Sequence, residues 1–312
     1  MLKDKLTILV CSCDEYEDLW IPFFTLLKKY LNPQKVQILL NTEKEEITFE
    51  GLNIKCIHPP AKGKDWPYGR RMKYALSQVE TEYTLLLLDD FFIRAPVDVT
   101  KFEQIIDWMT VDRTIVCFNF EGTKAYADWE CNVYPGFRRL PPGNKFMLNM
   151  QAAIWRTKSL QKYWRPKVSP WEWEAYCNVL TTKYPRDKFY CAMDFSELCI
   201  DYGHYESGDL WGVVKGKWIV EDVQPLFERE GISVDFSKRG DFKQSVCPPY
   251  FKSMDTLKDQ FSAVFRCLGV MSTIRYFSFR VRCKLAMKAG KLADINYFAY
   301  LTEKKRREFL SI

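Results

Sequence analysis

Leu85-Leu86-Leu87-Leu88-Asp89-Asp90-Phe91-Phe92 is the stretch that decides the fold. Four successive leucines, entered through Tyr83-Thr84, offer no polar face to solvent. Such a run reads as a strand buried on both sides, the kind found inside a parallel sheet with helices above and below. Its two carboxylates stand where the strand leaves the sheet at its C-terminal edge. In open α/β sheets that edge is where ligands bind.

Working outward toward the N-terminus, Leu6 to Cys11 is a second buried run. An amphipathic pattern through Trp20, Phe23, Phe24, Leu27 and Tyr30 follows it, then strand-like runs at Val36 to Leu40 and Leu52 to Ile57. Pro59-Pro60 and Gly63 mark a loop, and Arg71 to Val79 has helical spacing. The resulting β-α-β-β-α-β order predicts a mainly parallel sheet covered by helices. Beyond Pro96, a helix through Phe102, Ile105, Ile106 and Met109 leads to a strand at Thr114 to Phe118. Residues 121–149, rich in Gly, Pro and aromatics, read as irregular. A strand at Met150 to Trp155, a helix at Thr157 to Trp164 and a last strand at Trp211 to Val220 complete the pattern.

Composition bounds the function classes. At 312 residues, 47% hydrophobic and 16% aromatic, the chain can bury a large core and is not disordered. Its eleven cysteines contain no CxxC, and His58 and His204 are its two histidines, so neither a zinc site nor a disulfide framework is indicated. The thiols are expected to be reduced and mostly buried, as in a cytoplasmic protein. Leu6 to Val10 is too short for a signal peptide and runs into Asp14-Glu15-Tyr16-Glu17-Asp18. No apolar run approaches the ~20 residues that span a bilayer. Residues 251–312 carry 13 Lys/Arg against 5 Asp/Glu, a net +8, so residues 1–250 stand at −2 within the chain's +6. Mixed with Phe261, Val264, Phe265, Leu268, Ile274, Phe277 and Phe279, those charges fit a helical extension packed on the core or lying on an anionic membrane surface. A nucleic-acid arm would not need such bulky aliphatics.

Two adjacent carboxylates repel and need a cation or strong donors to stay ionised. A hard divalent ion bridging to phosphate oxygens meets that need. A Walker B strand looks similar, but the chain has no GxxxxGK[ST], which removes the P-loop reading. In a regular strand Asp89 and Asp90 would point apart, so either the chain has already turned there or Asp90 alone meets the ion. Arg70, Arg71, Lys215, Lys217, Lys238 and Arg239 are candidate phosphate partners, with Gly216 and Gly240 allowing close backbone approach. Ser169-Pro170-Trp171-Glu172 has the form of a helix start: Ser as N-cap, Pro at the first position and Glu closing a capping box. Glu174 then lies about 200° around the helix from Glu172 and is free to face a cleft.

Ile8 to Trp20, Asp65-Trp66-Pro67-Tyr68-Gly69-Arg70-Arg71 and Leu87-Leu88-Asp89-Asp90-Phe91-Phe92 together resemble bacterial GT-A-fold glycosyltransferases. Ser169-Pro170-Trp171-Glu172-Trp173-Glu174 and Gly216-Lys217-Trp218 resemble segments of members that build surface polysaccharide, of the capsule or O-antigen type. The resemblance implies a GT-A-like Rossmann-type mixed sheet flanked by helices, with a C-terminal basic helical extension. It implies a catalytic domain at 1–250, divided into a nucleotide-binding half (1–120) and an acceptor half (121–250), and a tail at 251–312. A nucleotide-sugar donor, UDP-sugar favoured, would meet Ser12, Asp14, Asp65, Arg70, Arg71, Asp89, Lys217 and Arg239. Mn²⁺ or Mg²⁺ would be held by Asp89 and Asp90, with His204 as the candidate third ligand. The family's usual Asp-x-Asp is here an adjacent pair. An inverting transfer needs a base, for which Glu174, Glu172 or an aspartate such as Asp194 is available. Trp171 and Trp173 would either stack on a glycan or lipid-linked acceptor or belong to the core. The implied setting is the inner face of the cytoplasmic membrane. A nucleotidyltransferase-like enzyme, or a non-catalytic carbohydrate- or membrane-binding protein, remains the alternative.

Overall fold

After a single turn, α1 (Leu2–Lys5), the first four apolar runs become strands β1 (Leu6–Cys11), β2 (Gln37–Asn41), β3 (Asn53–Ile57) and β4 (Tyr83–Leu88). All four pair in parallel, in the order β3-β2-β1-β4. The connections β1-to-β2 and β3-to-β4 run through helices α2 (Glu17–Tyr30) and α3 (Tyr68–Ser77). The computed structural model describes residues 2–60, 66–120, 133–144, 147–193, 199–202, 212–242 and 257–288.

The second half adds α4 (Val99–Val111), β5 (Ile115–Asn119), β6 (Phe137–Leu140), β7 (Ala153–Arg156), α5 (Thr157–Tyr163), α6 (Pro170–Tyr176) and β8 (Lys188–Ala192). One eight-stranded sheet results, ordered β3-β2-β1-β4-β7-β5-β8-β6. It is a mixed sheet, as the resemblance implied: the first four strands are parallel, while β7 runs antiparallel to both β4 and β5, and β6 antiparallel to β8. The stretch expected to be irregular thus contains an edge strand, β6. Strand β8 and the helix α7 (Val220–Glu230) stand where no element was expected. The single strand expected at 211–220 is instead a two-residue hairpin, β9 (Val213–Val214) and β10 (Lys217–Trp218). Lys215 and Gly216 both adopt positive φ (50° and 76°), the pattern that turns a chain in two residues with the twist the strands require.

Alternation along the strands sends side chains to two cores. Leu6, Ile8 and Val10 of β1 join Leu85 and Leu87 of β4 on one face, under α2, α4 and α7. Leu9 and Cys11 join Leu86 on the other, under α3, α5 and α6. Two C-terminal helices follow, α8 (Leu257–Leu268) and α9 (Val270–Lys288). Val264, Cys267 and Leu268 of α8 and Tyr276 of α9 enter the second core, and Arg266 pairs with Glu172 of α6.

Candidate active site

The strand order reverses between β1 and β4: β2 and β3 lie to one side, the rest of the sheet to the other. A crevice opens where neighbouring connections leave in opposite directions, so this junction is the expected ligand site of such a sheet. Cys11 is level with Leu88, which brings the next residues, Ser12 and Asp89, together at the C-terminal edge. Ser12 Oγ donates to an Asp89 carboxylate oxygen, and Trp20 Nε1 donates to Ser12 Oγ at 2.7 Å.

Strand β4 stops at Leu88, and Asp89-Asp90 form a turn. This resolves the geometry of an adjacent pair: the carboxylates are not held to opposite faces of a strand. Asp89 is 3% exposed and faces Ser12, whereas Asp90 is half-buried. Burial drives the Asp89 carboxyl well above its ordinary range, and the charge of Asp90 adds to the effect against the donors Ser12 and Trp20. Burial also raises Asp90, to about 7, against its own backbone N–H and the field of Arg239. The pair is short of positive charge. Beside it, burial pushes the thiols of Cys11 and Cys13 up to about 12, so both stay protonated at neutral pH.

The first βα loop is fixed by Asp14. Its Oδ1 accepts from the backbone N–H of Glu43, Lys44 and Glu45 at 2.9, 3.1 and 3.2 Å, and its own N–H donates to Glu43 Oε2 at 2.6 Å. Although burial would raise the Asp14 carboxyl, the N–H groups of Lys44, Glu45 and Glu43 outweigh it and hold the group low. Glu43 also pairs with buried Arg71 at the start of α3. Asp14, Glu43 and Arg71 therefore stitch the loops after β1 and β2 to α3. Glu43 was not singled out in the sequence, because nothing local marks a surface glutamate as the hinge of three segments. Arg70, by contrast, is exposed and lies 4.1 Å over the ring of Trp66.

The wall opposite comes from the β9–β10 hairpin. Trp218 stacks on Phe92 at 5.9 Å, holding the hairpin against the segment that follows the aspartates. Gly212 makes this fit possible: a Cβ there would meet the Phe92 ring at 2.1 Å and the Asp90 carbonyl at 3.0 Å. Arg239 spans the hairpin and the first loop. It pairs with Asp18, donates to the carbonyls of Glu15 and Gly216, and lies 4.6 Å over the ring of Tyr16. Lys217, on β10 of the same hairpin, is exposed.

On the other side, β7 runs antiparallel to β4 with Leu86 level with Ala153, so the residues just before β7 return to the level of Asp89. Met150 is among them, and its N–H donates to Glu174 Oε1 at 2.6 Å. Glu174 is thereby anchored at the edge that carries the aspartates, and burial raises its carboxyl to about 7 against the Met150 donor. Glu172 is placed differently. It closes the capping box with Ser169, accepting from the Ser169 N–H at 2.8 Å, and its other oxygen pairs with Arg266. Both of its oxygens are thus engaged in holding α6. Trp173 is 0% exposed, its ring 4.4 Å from Trp164 and 6.1 Å from Trp155, so it belongs to the core and cannot present a stacking face. Trp171, on the same helix, is 57% exposed. Asp65, Asp194 and His204 lie outside the described residues.

Among the described residues no cluster of three or more His, Cys, Asp or Glu could hold a metal by itself. Asp89 and Asp90 nonetheless suit a hard divalent ion. They are oxygen donors, Asp89 buried and Asp90 half-buried, with no salt-bridge partner among the described residues, and such ions complete their shells with substrate phosphate and water.

The chain matches no protein-family model and no curated protein. Among solved structures it is similar to the Pyrobaculum calidifontis mannosyltransferase PcManGT in complex with GDP-Man and Mn²⁺, at 12% identity and a TM-score of 0.41 over 98% of this chain and 83% of that one. It is similar to S. aureus TarS 1–349 in complex with UDP-GlcNAc at 13% identity and a TM-score of 0.39, covering 89% and 83%. Against another structure of S. aureus TarS 1–349 the match spans 60% of each chain, at 15% identity and a TM-score of 0.36. Likeness at this level leaves the function to the site's own geometry.

Proposed function

We propose that the chain is a nucleotide-sugar-dependent glycosyltransferase of GT-A-like architecture. The observation that carries the reading is the juxtaposition, on one sheet edge, of an aspartate pair without a salt-bridge partner among the described residues, at the switch point, and a half-buried glutamate tied to the same edge. Asp89 and Asp90 would hold Mn²⁺ or Mg²⁺, which when bound neutralises the donor diphosphate. Asp14, Glu43 and Arg71 shape the nucleotide side of the cleft, with Ser12 orienting Asp89. Arg239 brings a fixed positive charge beside the leaving diphosphate. Glu174 takes the proton of the acceptor hydroxyl while that oxygen bonds to the anomeric carbon and the bond to the diphosphate breaks, an inverting displacement. Trp171, exposed on the same helix, would stack on an acceptor sugar.

The reading extends to a bacterial surface-polysaccharide pathway at the inner face of the cytoplasmic membrane. No helix among the described residues is long and apolar enough to cross a membrane. Val270, Ile274, Val281 and Leu285 are exposed along one stripe of α9, within a net +8 tail, which supports attachment to an anionic bilayer surface.

The test is product analysis with a panel of nucleotide sugars and nucleoside triphosphates. A transferase releases nucleoside diphosphate from one sugar donor. Pyrophosphate release from a triphosphate would instead make it a nucleotidyltransferase, and no turnover combined with glycan binding would make it a non-catalytic binding protein.

A further inference from the structure

Arg138 stands out among the buried guanidinium groups. Arg71, Arg94, Arg156 and Arg239 have largely buried side chains, and each has a carboxylate partner: Glu43, Asp222, Glu82 and Asp18. Arg138 is 7% exposed and has none among the described residues. Its Nη2 donates to the Met193 carbonyl at 3.0 Å, while Nε and Nη1 are buried without a partner. A guanidinium cannot shed its charge, so leaving two of its nitrogens, with three N–H donors between them, and the charge uncompensated is strongly unfavourable unless an anion is meant to arrive.

The position suits an anion borne by the acceptor. Leu86, Ala153, Asn119, Cys191 and Arg138 lie level with one another across five adjacent strands, and Phe137, one residue earlier, opens β6 at the edge where β8 ends. Arg138 alternates with Phe137, which faces the first core, and is in phase with Leu140, which faces the second. It therefore lies on the face covered by α6, the helix that carries Glu174 and Trp171. From Ala153 to Arg138 is three strand spacings, about 14 Å. That is too far from the switch point for the donor diphosphate, and lies along the edge in the direction an acceptor would extend from Glu174.

We propose that Arg138 binds an oxyanion, phosphate or carboxylate, carried by the acceptor, so that the enzyme selects an anionic acceptor. The assignment of this anion to an acceptor rests on the transferase reading. The anion site itself does not.

The test uses the full chain with UDP and Mn²⁺ present, in buffers matched for ionic strength with sodium chloride. Thermal melting is followed with methyl phosphate or with glucuronate, for wild type, Arg138→Lys and Arg138→Met. Removing an uncompensated buried cation should raise the anion-free melting temperature of Arg138→Met by about 2–4 °C. One of the two anions should stabilise wild type and, more weakly, Arg138→Lys, but not Arg138→Met. Stabilisation by phosphate points to a phosphorylated or lipid-phosphate acceptor, and stabilisation by glucuronate to an acidic glycan. Equal anion stabilisation in all three proteins, none in wild type, or a lower melting temperature for Arg138→Met overturns the proposal. Nucleotide binding, followed in the same samples, should be equal in the three proteins. Its absence throughout would count against the transferase reading and leave the anion result standing.

Discussion

At the scale of single residues, the site depends on carboxyl groups that burial has moved. Glu174 titrates at about 7 in the folded chain and near its ordinary value when unfolded. The folded state therefore holds the proton more tightly, so Glu174 contributes stability below pH 4.5 that is lost as pH rises toward 7. Glu174→Gln, which keeps an oxygen for the Met150 N–H, should be more stable than wild type at pH 8 by about 1–3 kcal/mol, read from denaturant midpoints. The same substitution should lower kcat by about 10²- to 10⁴-fold and leave nucleotide affinity within about threefold. For wild type, kcat should fall as pH drops below about 7, because the base must be unprotonated. A variant that loses stability at pH 8 and keeps its activity would make Glu174 a structural residue. Glu172, two positions away, is predicted to behave in the opposite sense. Glu172→Ala loses the capping box and strands Arg266, so it should destabilise by about 1–2 kcal/mol while the activity per folded molecule stays near wild type. The capping role was readable in Ser169-Pro170-Trp171-Glu172, since it needs only local spacing. That Trp173 is buried and Trp171 exposed was not readable, because it depends on which helix face meets Trp155 and Trp164.

At the scale of elements, the strands that are apolar throughout were legible and the half-polar ones were not. Leu6 to Cys11 and Tyr83 to Leu88 are buried almost from end to end and match their expected bounds. Phe137-Arg138-Arg139-Leu140 is an edge strand with two arginines, sitting in a Gly- and Pro-rich stretch, and its pairing with β8 is long-range. No local periodicity announces such a strand. The segment 211–220 misled for a different reason: Val213, Trp218 and Ile219 are buried, but Lys215 and Gly216 reverse the chain between them. The hairpin's hold on the aspartate turn gives a prediction at this scale. Gly212→Ala would drive a methyl into Phe92 and toward the Asp90 backbone, costing about 1–3 kcal/mol. Its loss of activity should exceed its loss of folded protein, since the hairpin also carries the Gly216 carbonyl that receives Arg239. Comparing kcat with the folded fraction by circular dichroism checks this.

At the scale of the whole molecule, the order of strands makes the site. Ser12 and Asp89 are far apart in the chain and meet because β1 and β4 are neighbours at the point where the sheet changes direction. The sequence pattern showed that the first half was Rossmann-like, and so showed which edge mattered. It did not show that the loop before β7 returns to that edge carrying the anchor for Glu174, which requires knowing that β7 is antiparallel. The tail makes its own prediction. The full chain should sediment with vesicles containing phosphatidylglycerol, less so as salt rises. Val281→Asp with Leu285→Asp should reduce that binding at least tenfold without changing nucleotide affinity; vesicle binding that survives the pair would exclude the α9 stripe.

Asp89 and Asp90 are proposed to receive a nucleoside diphosphate through a divalent ion. Isothermal titration of UDP, GDP, CDP and dTDP into the full chain, with Mn²⁺ or with EDTA, tests it most directly when repeated on Asp90→Asn. One diphosphate should bind with Mn²⁺ and weaken by at least tenfold both in EDTA and in Asp90→Asn. Binding of equal strength under all three conditions would contradict the role given to the aspartate pair, and no binding of any diphosphate would contradict the transferase itself.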